Sequence, residues 1–499
     1  MGEAGLIPGK KHAPAHMGRV LVLGLGKSGR ATAAYVGTLV GSRVDSLTVA
    51  AGVPTPEALS FVRDLESQVP VQAVFDCEQV EGSFDLCITS PGIPPVAPLY
   101  RSAAAASAEM IGEVEFAWRE SASLSRWVAV TGTNGKTTVT SLVAHLLACG
   151  GVDAKAVGNI GDTCIQAVSG DAPDVYVAEA SSYQLASTVR FAPDVAVLLN
   201  ITPDHLHWHQ TFEAYRAAKL RVLANLADAP GAVAVLDATD DEVRAEIRRL
   251  RSQSDAERGF SYVPVGTKAG LSGDMRDACG SENAAFEDAA GVLQVALRGV
   301  EHRLASSGDL LIKGAHNRAN ALAAAAAALS LGVEDEAVAR GLRTFAPLEH
   351  RIEPCGSVRG VACYNDSKAT NVDATLKALA AFPETRPLVL LGGDDKGTDL
   401  APLVEAVHRH TRACICFGAA ASRFHAAFEA ASSDAPDGFL LGRAAHLEDA
   451  LDEALSLARP GEVLLLSPAC ASFDEFGSFE ERGSAFKALV ADRAATLGA

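Results

Sequence analysis

Aromatic residues are scarce in this chain, at 6% of 499, and no two of its ten cysteines are spaced C-x-x-C. Thiols scattered along so long a chain argue against a disulfide framework and a cysteine zinc site, and for reduced, buried cysteines in the cytosol. Cys414-x-Cys416 sits inside an apolar run and reads as strand. A membrane span needs roughly 18 consecutive apolar residues, and no run reaches that; Ala321–Leu331 is too short and too alanine-rich. The N-terminus has Lys10, Lys11 and two histidines but no apolar signal core, so Met17-Gly18 reads as the structural start. Basic residues are also in deficit, 43 against 61 acidic ones. The formal net charge of −18 opposes nonspecific binding to nucleic acid or to an acidic membrane.

What is present is an α/β pattern, with length alone suggesting about three domains. The first section, residues 18–120, opens with the strand Arg19–Leu23 and the G-x-G-x-x-G element Gly24–Gly29. A helix at Arg30–Leu39, strands near Leu47–Ala50 and Leu86–Ile88, and the turn Ser90–Pro95 follow. The second, 121–346, carries the apolar run Trp127–Val130, the loop Thr131–Thr138, and strands at Val175–Ala178 and Val195–Leu199. Its stretch Ala238–Gly291 is charged and Gly/Ser-rich and reads as a helix plus a surface insertion, and the helix Asn320–Leu331 closes it. The third, 347–499, repeats the alternation at Leu388–Leu391, Ala413–Phe417 and Val463–Leu466. Alternating strands and helices predict three α/β domains with mostly parallel sheets: Rossmann-like, P-loop ATPase-type and Rossmann-like again.

The loop Thr131-Gly132-Thr133-Asn134-Gly135-Lys136-Thr137-Thr138 is the strongest chemical signal. A strand, a glycine-rich turn and a helix aim backbone N–H groups and a helix dipole at anionic oxygens. Lys136 can then reach outer phosphates, and Thr137 can face Mg²⁺. The general pattern G-x-x-x-x-G-K-[ST] is not met, because Val130 holds its first glycine position.

Other motifs leave alternatives open. Gly24–Gly29 suits a dinucleotide or another phosphate ligand. NAD would want an acid at the end of the second strand, where Ala50-Ala51 stand and Asp45 falls before the strand. Glu179 at a strand end is either a hard oxygen ligand for Mg²⁺ or a helix cap. His205, His207 and His209 lack the thiolate or paired carboxylate of a zinc site; they are surface groups, or one of them helps to hold a second divalent ion. Lys219 on a helix is either a solvated charge or, if deprotonated beside a metal, an amine that adds CO₂ to form a carbamate. His350-Arg351, Asn365–Asn371 and Ser467–Asp474 read alone as polar loops.

Taken together and in this order, these motifs resemble the Mur ligase family from Gly24 to Arg482. In that family the first glycine of the nucleotide loop lies closer to the lysine, which accounts for Val130. Asn365–Asn371 (NDSKATN) and Ser467–Gly483 resemble the forms found in its D-glutamate-adding member. The resemblance implies a cytosolic, monomeric ligase with three small-molecule substrates: UDP-N-acetylmuramoyl-L-alanine, D-glutamate and ATP. It implies that Gly26, Lys27, Ser28, Ser90, Pro91 and Gly92 bind the uridine diphosphate, with Asn159 and Ser182 at the sugar-peptide. Gly132, Thr133, Asn134, Gly135, Lys136, Thr137 and Thr138 would hold ATP, with Asn317 and Asn320 on the adenine side. Arg351, Asp366 and Lys368 would be the third section's nucleotide contacts. Thr137 and Glu179 would ligate one Mg²⁺, His205 and a carbamylated Lys219 a second. Thr370, Lys396, Ser472 and Phe479 would position D-glutamate, and Lys136, Lys219 and His205 would carry the catalysis. Another amino-acid-adding Mur ligase is the alternative; a noncatalytic nucleotide switch would dispense with Lys219, Ser472 and Phe479. Here His207-Trp208 replaces the Asp-Arg common in the family after Asp204-His205, and the missing acid after the second strand alters the uracil contacts.

Overall fold

The structure is a computed structural model and describes residues 5–266, 281–395 and 397–498. Strands β1 (Gly18–Leu23), β2 (Val44–Ala50), β3 (Val71–Val74), β4 (Phe84–Thr89) and β5 (Ser107–Gly112) form a parallel sheet in the order β3-β2-β1-β4-β5. Helices cover both faces of such a sheet, so its strands read as unbroken apolar runs; Val20 through Leu23 are fully buried. The chain leaves β1 toward β2 and later returns on the other side to β4. The loops after β1 and β4 therefore part at a crevice, the usual ligand position in an open α/β sheet.

The second sheet has nine strands: β6 (Arg126–Thr131), β7 (Ala154–Gly158), β8 (Val175–Glu179), β9 (Val195–Leu198), β10 (Val233–Asp237), β11 (Ser261–Gly266), β12 (Ala284–Glu287), β13 (Val292–Leu297) and β14 (Val300–Ser306). Their order is β14-β13-β12-β11-β10-β9-β6-β8-β7, antiparallel only at the β12–β13 and β13–β14 pairings. β6 lies between β8 and β9, so the loop leaving it sits at this sheet's own switch point.

The third sheet contains β15 (Glu353–Val358), β16 (Val361–Asn365), β17 (Leu388–Gly392), β18 (Ala413–Phe417), β19 (Leu440–Arg443) and β20 (Val463–Leu466). Its order is β15-β16-β20-β17-β18-β19, with only β15 antiparallel. The chain forms two compact units, one holding the first two sheets and the other the third. Among the described residues no helix is long and apolar enough to cross a membrane.

Three local expectations need correction. Met17 is not the structural start: Leu6 bridges Pro14, Lys10 bridges Ala122, and His12 stacks on Trp118 at 5.0 Å. Asp45 lies within β2, exposed, 3.3 Å from His16 Nε2. Ala238–Gly291 is more than a helix and a surface insertion, because β11 is a buried strand that extends the sheet. Pro264 within it, ordinarily a mark against a strand interior, hid it. Part of that stretch lies outside the described residues.

Candidate active site

The run Trp127–Val130 ends at Thr131, and the chain turns sharply into the helix Lys136–Cys149. Gly135 caps that helix at φ +87°, and a Cβ there would lie 2.8 Å from Asn320 Oδ1, so glycine is required twice over. The segment after β9 braces the turn. Asn200 accepts from Asn134 N through Oδ1 at 2.8 Å and donates to Asn134 O at 3.1 Å. Thr133 Oγ1 lies 2.7 Å from the Tyr215 hydroxyl and accepts from Thr202 N at 2.9 Å. Lys136 Nζ curls back to donate to the carbonyls of Gly132 and Thr133, both at 2.9 Å. Thr137 and Thr138 lie in the first helical turn.

Lys219 is not a surface charge. It is 2% exposed, donates to Gly132 O at 2.6 Å, and lies 4.8 Å from the centre of the Tyr215 ring. Burial and the neighbouring Lys136 charge push its pKa well below the ordinary lysine value, against the weaker pull of Asp204 and Glu179. Glu179 ends β8 beside the loop, paired across the sheet with Val130. Its Oε1 accepts from Asn159 Nδ2 at 2.8 Å, while Oε2 is buried with no hydrogen-bond partner among the described residues. A partnerless buried carboxylate oxygen is costly unless a cation meets it, so Glu179, at the strand end beside β6, suits a hard divalent ion.

The three histidines separate. His205 adopts left-handed backbone (φ +55°), with its ring against Tyr183 and its Nε2 3.6 Å from Asp204 Oδ2. His207 is exposed. His209 turns inward to Ser182 Oγ at 2.9 Å, and burial lowers its pKa to about 4. They do not converge on one ion.

Beside the first sheet, Gly26, Lys27, Ser28, Ser90, Pro91 and Gly92 line a cavity of about 450 Å³. Gly29 is required there, since a Cβ would collide with Gly24 O at 1.9 Å. Ser90 Oγ donates to Gly24 O at 3.1 Å, and Lys27 Nζ reaches Gly161 O at 2.6 Å, in the loop that carries Asn159.

In the second unit, Asp366 follows β16 and is buried. Its Oδ2 accepts from Ser467 Oγ at 2.8 Å and its Oδ1 from Ile352 N at 3.2 Å, and burial pushes its pKa up to about 7. Lys368 Nζ lies 3.7 Å from the centre of the Phe479 ring. Thr370 N donates to Lys368 O at 2.8 Å, Arg351 N to Leu348 O at 3.1 Å, and Ser472 is buried. Arg482, fully buried, gathers these loops, donating to Ser367 Oγ and to the carbonyls of Ser367, Cys470 and Ala471 at 2.8–3.0 Å. Lys396 lies outside the described residues.

Residues 130–328 match the model of the Mur ligase middle domain, and 350–470 that of the Mur ligase glutamate ligase domain. A protein of Koribacter versatilis named UDP-N-acetylmuramoylalanine–D-glutamate ligase is 37% identical over 474 residues, covering 95% of this chain and 97% of its own. One of the same name from Chromobacterium violaceum is 38% identical over 480 residues, with the same coverage. The chain belongs to the Mur ligase family.

This Mur ligase also shares its fold with solved structures. A MurF ligase of Thermotoga maritima in complex with ADP matches with a TM-score of 0.57 at 15% identity, covering 90% of this chain and 96% of that one. Mycobacterium tuberculosis folylpolyglutamate synthase, complexed with ADP, matches with a TM-score of 0.52 at 17% identity, covering 73% and 90%. Within this Mur ligase the first unit brings the loop, Lys219, Glu179, Asn159 and Asn320 together. Asn317, one helical turn before Asn320, instead donates through Nδ2 to Lys313 O at 2.7 Å. Asn200, Tyr215 and His209 carry roles that single motifs did not assign; Asn200 and His209 stand in the polar stretch after β9, and Tyr215 on the helix Phe212–Leu220.

Proposed function

We propose that this chain is an ATP-dependent ligase that adds D-glutamate to UDP-N-acetylmuramoyl-L-alanine in peptidoglycan precursor synthesis. The names of its relatives at 37–38% identity support the substrates. The observation that carries the chemistry is a buried Glu179 oxygen, without a hydrogen-bond partner among the described residues, beside a phosphate loop at the switch point of the central sheet. In this reading residues 18–120 bind the UDP-linked acid, 121–346 bind ATP, and 347–499 serve the amino acid, in a cytosolic monomer.

The alanine carboxylate attacks the γ-phosphorus of ATP, forming an acyl phosphate and releasing ADP. The D-glutamate amine then attacks the acyl carbon and loses a proton, and the tetrahedral intermediate expels phosphate. Two anions meet in the first step. Lys136, swinging from its own loop carbonyls to the phosphates, offsets their repulsion as preorganised charge. Thr137 and Glu179 would hold one Mg²⁺, and His205 with Lys219 a second; bound there, the ions would screen phosphate charge. The free amine of Lys219 can attack CO₂ and lose a proton, and the resulting carbamate would set an anion beside the Lys136 cation. Asn159 orients Glu179 and faces the sugar-peptide, with Ser182 held by His209. The loop Gly132–Thr138 cradles the ATP phosphates, Asn317 and Asn320 serve the adenine, and Arg351, Asp366 and Lys368 are further nucleotide contacts. Thr370, Lys396, Ser472 and Phe479 position D-glutamate.

Phosphate release with UDP-N-acetylmuramoyl-L-alanine and ATP tests the reading across D-glutamate, L-lysine, meso-diaminopimelate and L-alanine. Stimulation by D-glutamate alone is expected, and stimulation by one of the others instead would assign a different amino-acid-adding Mur ligase.

A further inference from the structure

Glu113 is the first residue after β5 and opens the helix Glu113–Glu120 that joins the first sheet to the second. It is 3% exposed, yet it makes no ion pair among the described residues. Its Oε1 accepts from Ile165 N at 2.7 Å, at the start of the short helix Cys164–Val168, while its Oε2 is buried with no hydrogen-bond partner among the described residues. Burial pushes its pKa up to about 7, opposed by the Ile165 and Cys164 N–H groups. A buried acid so poorly compensated is expensive, and an apolar residue would serve packing better. Its use therefore lies in what it holds.

What it holds is the far end of the Asn159 loop. Between β7 and the helix at Cys164 the chain has only residues 159–163. Gly158 N donates to Asp162 O at 2.8 Å, and Asn159 N donates to Glu179 O at 3.0 Å, which fixes the loop's near end. Lys27 Nζ clasps Gly161 O from the side of the first-sheet cavity. Glu113 completes the set by fixing the helix beyond the loop. We infer that Glu113 is a positioning residue for the ligase reaction, anchoring the helix Cys164–Val168 so that Asn159 is presented to Glu179 and to the UDP-linked acid. This inference rests on the function proposed above for Asn159 and Glu179.

Hydrogen–deuterium exchange and kinetics on the full chain test it with Glu113→Ala and with Glu113→Gln, which keeps an acceptor for Ile165 N. Loss of one hydrogen bond to a charged group corresponds to about tenfold or more, so in Glu113→Ala the amides of residues 158–166 exchange about tenfold faster while those of β6 do not change. The kcat/KM for UDP-N-acetylmuramoyl-L-alanine falls by a similar factor, and the KM for ATP stays within about twofold. Glu113→Gln restores both readouts. Should Glu113→Ala not fold, Glu113→Asp, whose oxygens are drawn back from Ile165, shows the faster exchange to a smaller degree. Unchanged exchange at 158–166 in these variants, or a loss shared equally by ATP and not restored by Gln, overturns the inference. If the wild type releases no phosphate with D-glutamate, the proposed function fails; exchange still decides whether Glu113 holds the loop.

Discussion

Lys219 and Lys136 share one acceptor: the Gly132 carbonyl oxygen receives hydrogen bonds from both Nζ atoms, at 2.6 and 2.9 Å. Two ammonium groups crowded on one carbonyl, one of them almost fully buried, cannot both keep their charge cheaply. Burial and the Lys136 charge drive the Lys219 pKa well below the ordinary lysine value. The lowered pKa favours the free amine, which is the nucleophilic form. Incubation with ¹³C-bicarbonate should give a carbamate ¹³C resonance in the wild type and none in Lys219→Arg. A resonance of equal strength in the variant would place the carbamate elsewhere.

Lys136→Ala removes the cation that meets the phosphates. Loss of one preorganised group of this kind costs on the order of 10²–10³ in rate. Steady-state phosphate release should fall by that factor, and the bonds from Lys136 to the carbonyls of Gly132 and Thr133 are lost with it. Unchanged turnover would remove the loop from the chemistry.

Glu179→Gln keeps an oxygen for the Asn159 amide and deletes the charge. The Mg²⁺ concentration for half-maximal activity should rise by about tenfold or more, since Mg²⁺ depends on one or two carboxylates and substrate phosphates. Titration of activity against Mg²⁺ measures it. An unchanged midpoint would show that the orphan Oε2 serves another purpose.

Asp366 links stability to pH. Its pKa is about 7 in the fold against an ordinary 3.8, so between those values the folded state holds the proton that the unfolded chain has lost. The stabilisation is complete below about pH 3.8 and is lost as pH rises through about 7, on the order of a few kcal/mol. Asp366→Asn has no such proton to lose. Its melting temperature should therefore gain on the wild type between about pH 4 and about pH 7, read by calorimetry; parallel curves would contradict the assignment.

The strand, turn and helix of Trp127–Val143 could be read in the chain because every signal there is local. Lys219 could not. A helical lysine is normally solvated, and its burial depends on a carbonyl 87 residues away and on the Tyr215 ring. Asn200 was visible as part of a polar stretch, but its two-pronged grip on Asn134 is a tertiary event. His209 looked like a metal candidate and instead holds Ser182. β11 was obscured by Pro264, and the ordering of the N-terminal segment by contacts with Arg119, Ser121 and Ala122 that no local pattern announces. Periodicity told which segments bury themselves, whereas the partners of polar groups depend on distant backbone.

If ATP is spent to activate the alanine carboxylate, which D-glutamate then captures, a carboxylate oxygen must leave with the phosphate. UDP-N-acetylmuramoyl-L-alanine carrying ¹⁸O in both carboxylate oxygens, followed by mass spectrometry of the released phosphate, reads that transfer. One labelled oxygen in each phosphate released, with release dependent on D-glutamate, is the predicted result. Unlabelled phosphate would mean that water attacks ATP directly, and carboxylate activation would be contradicted.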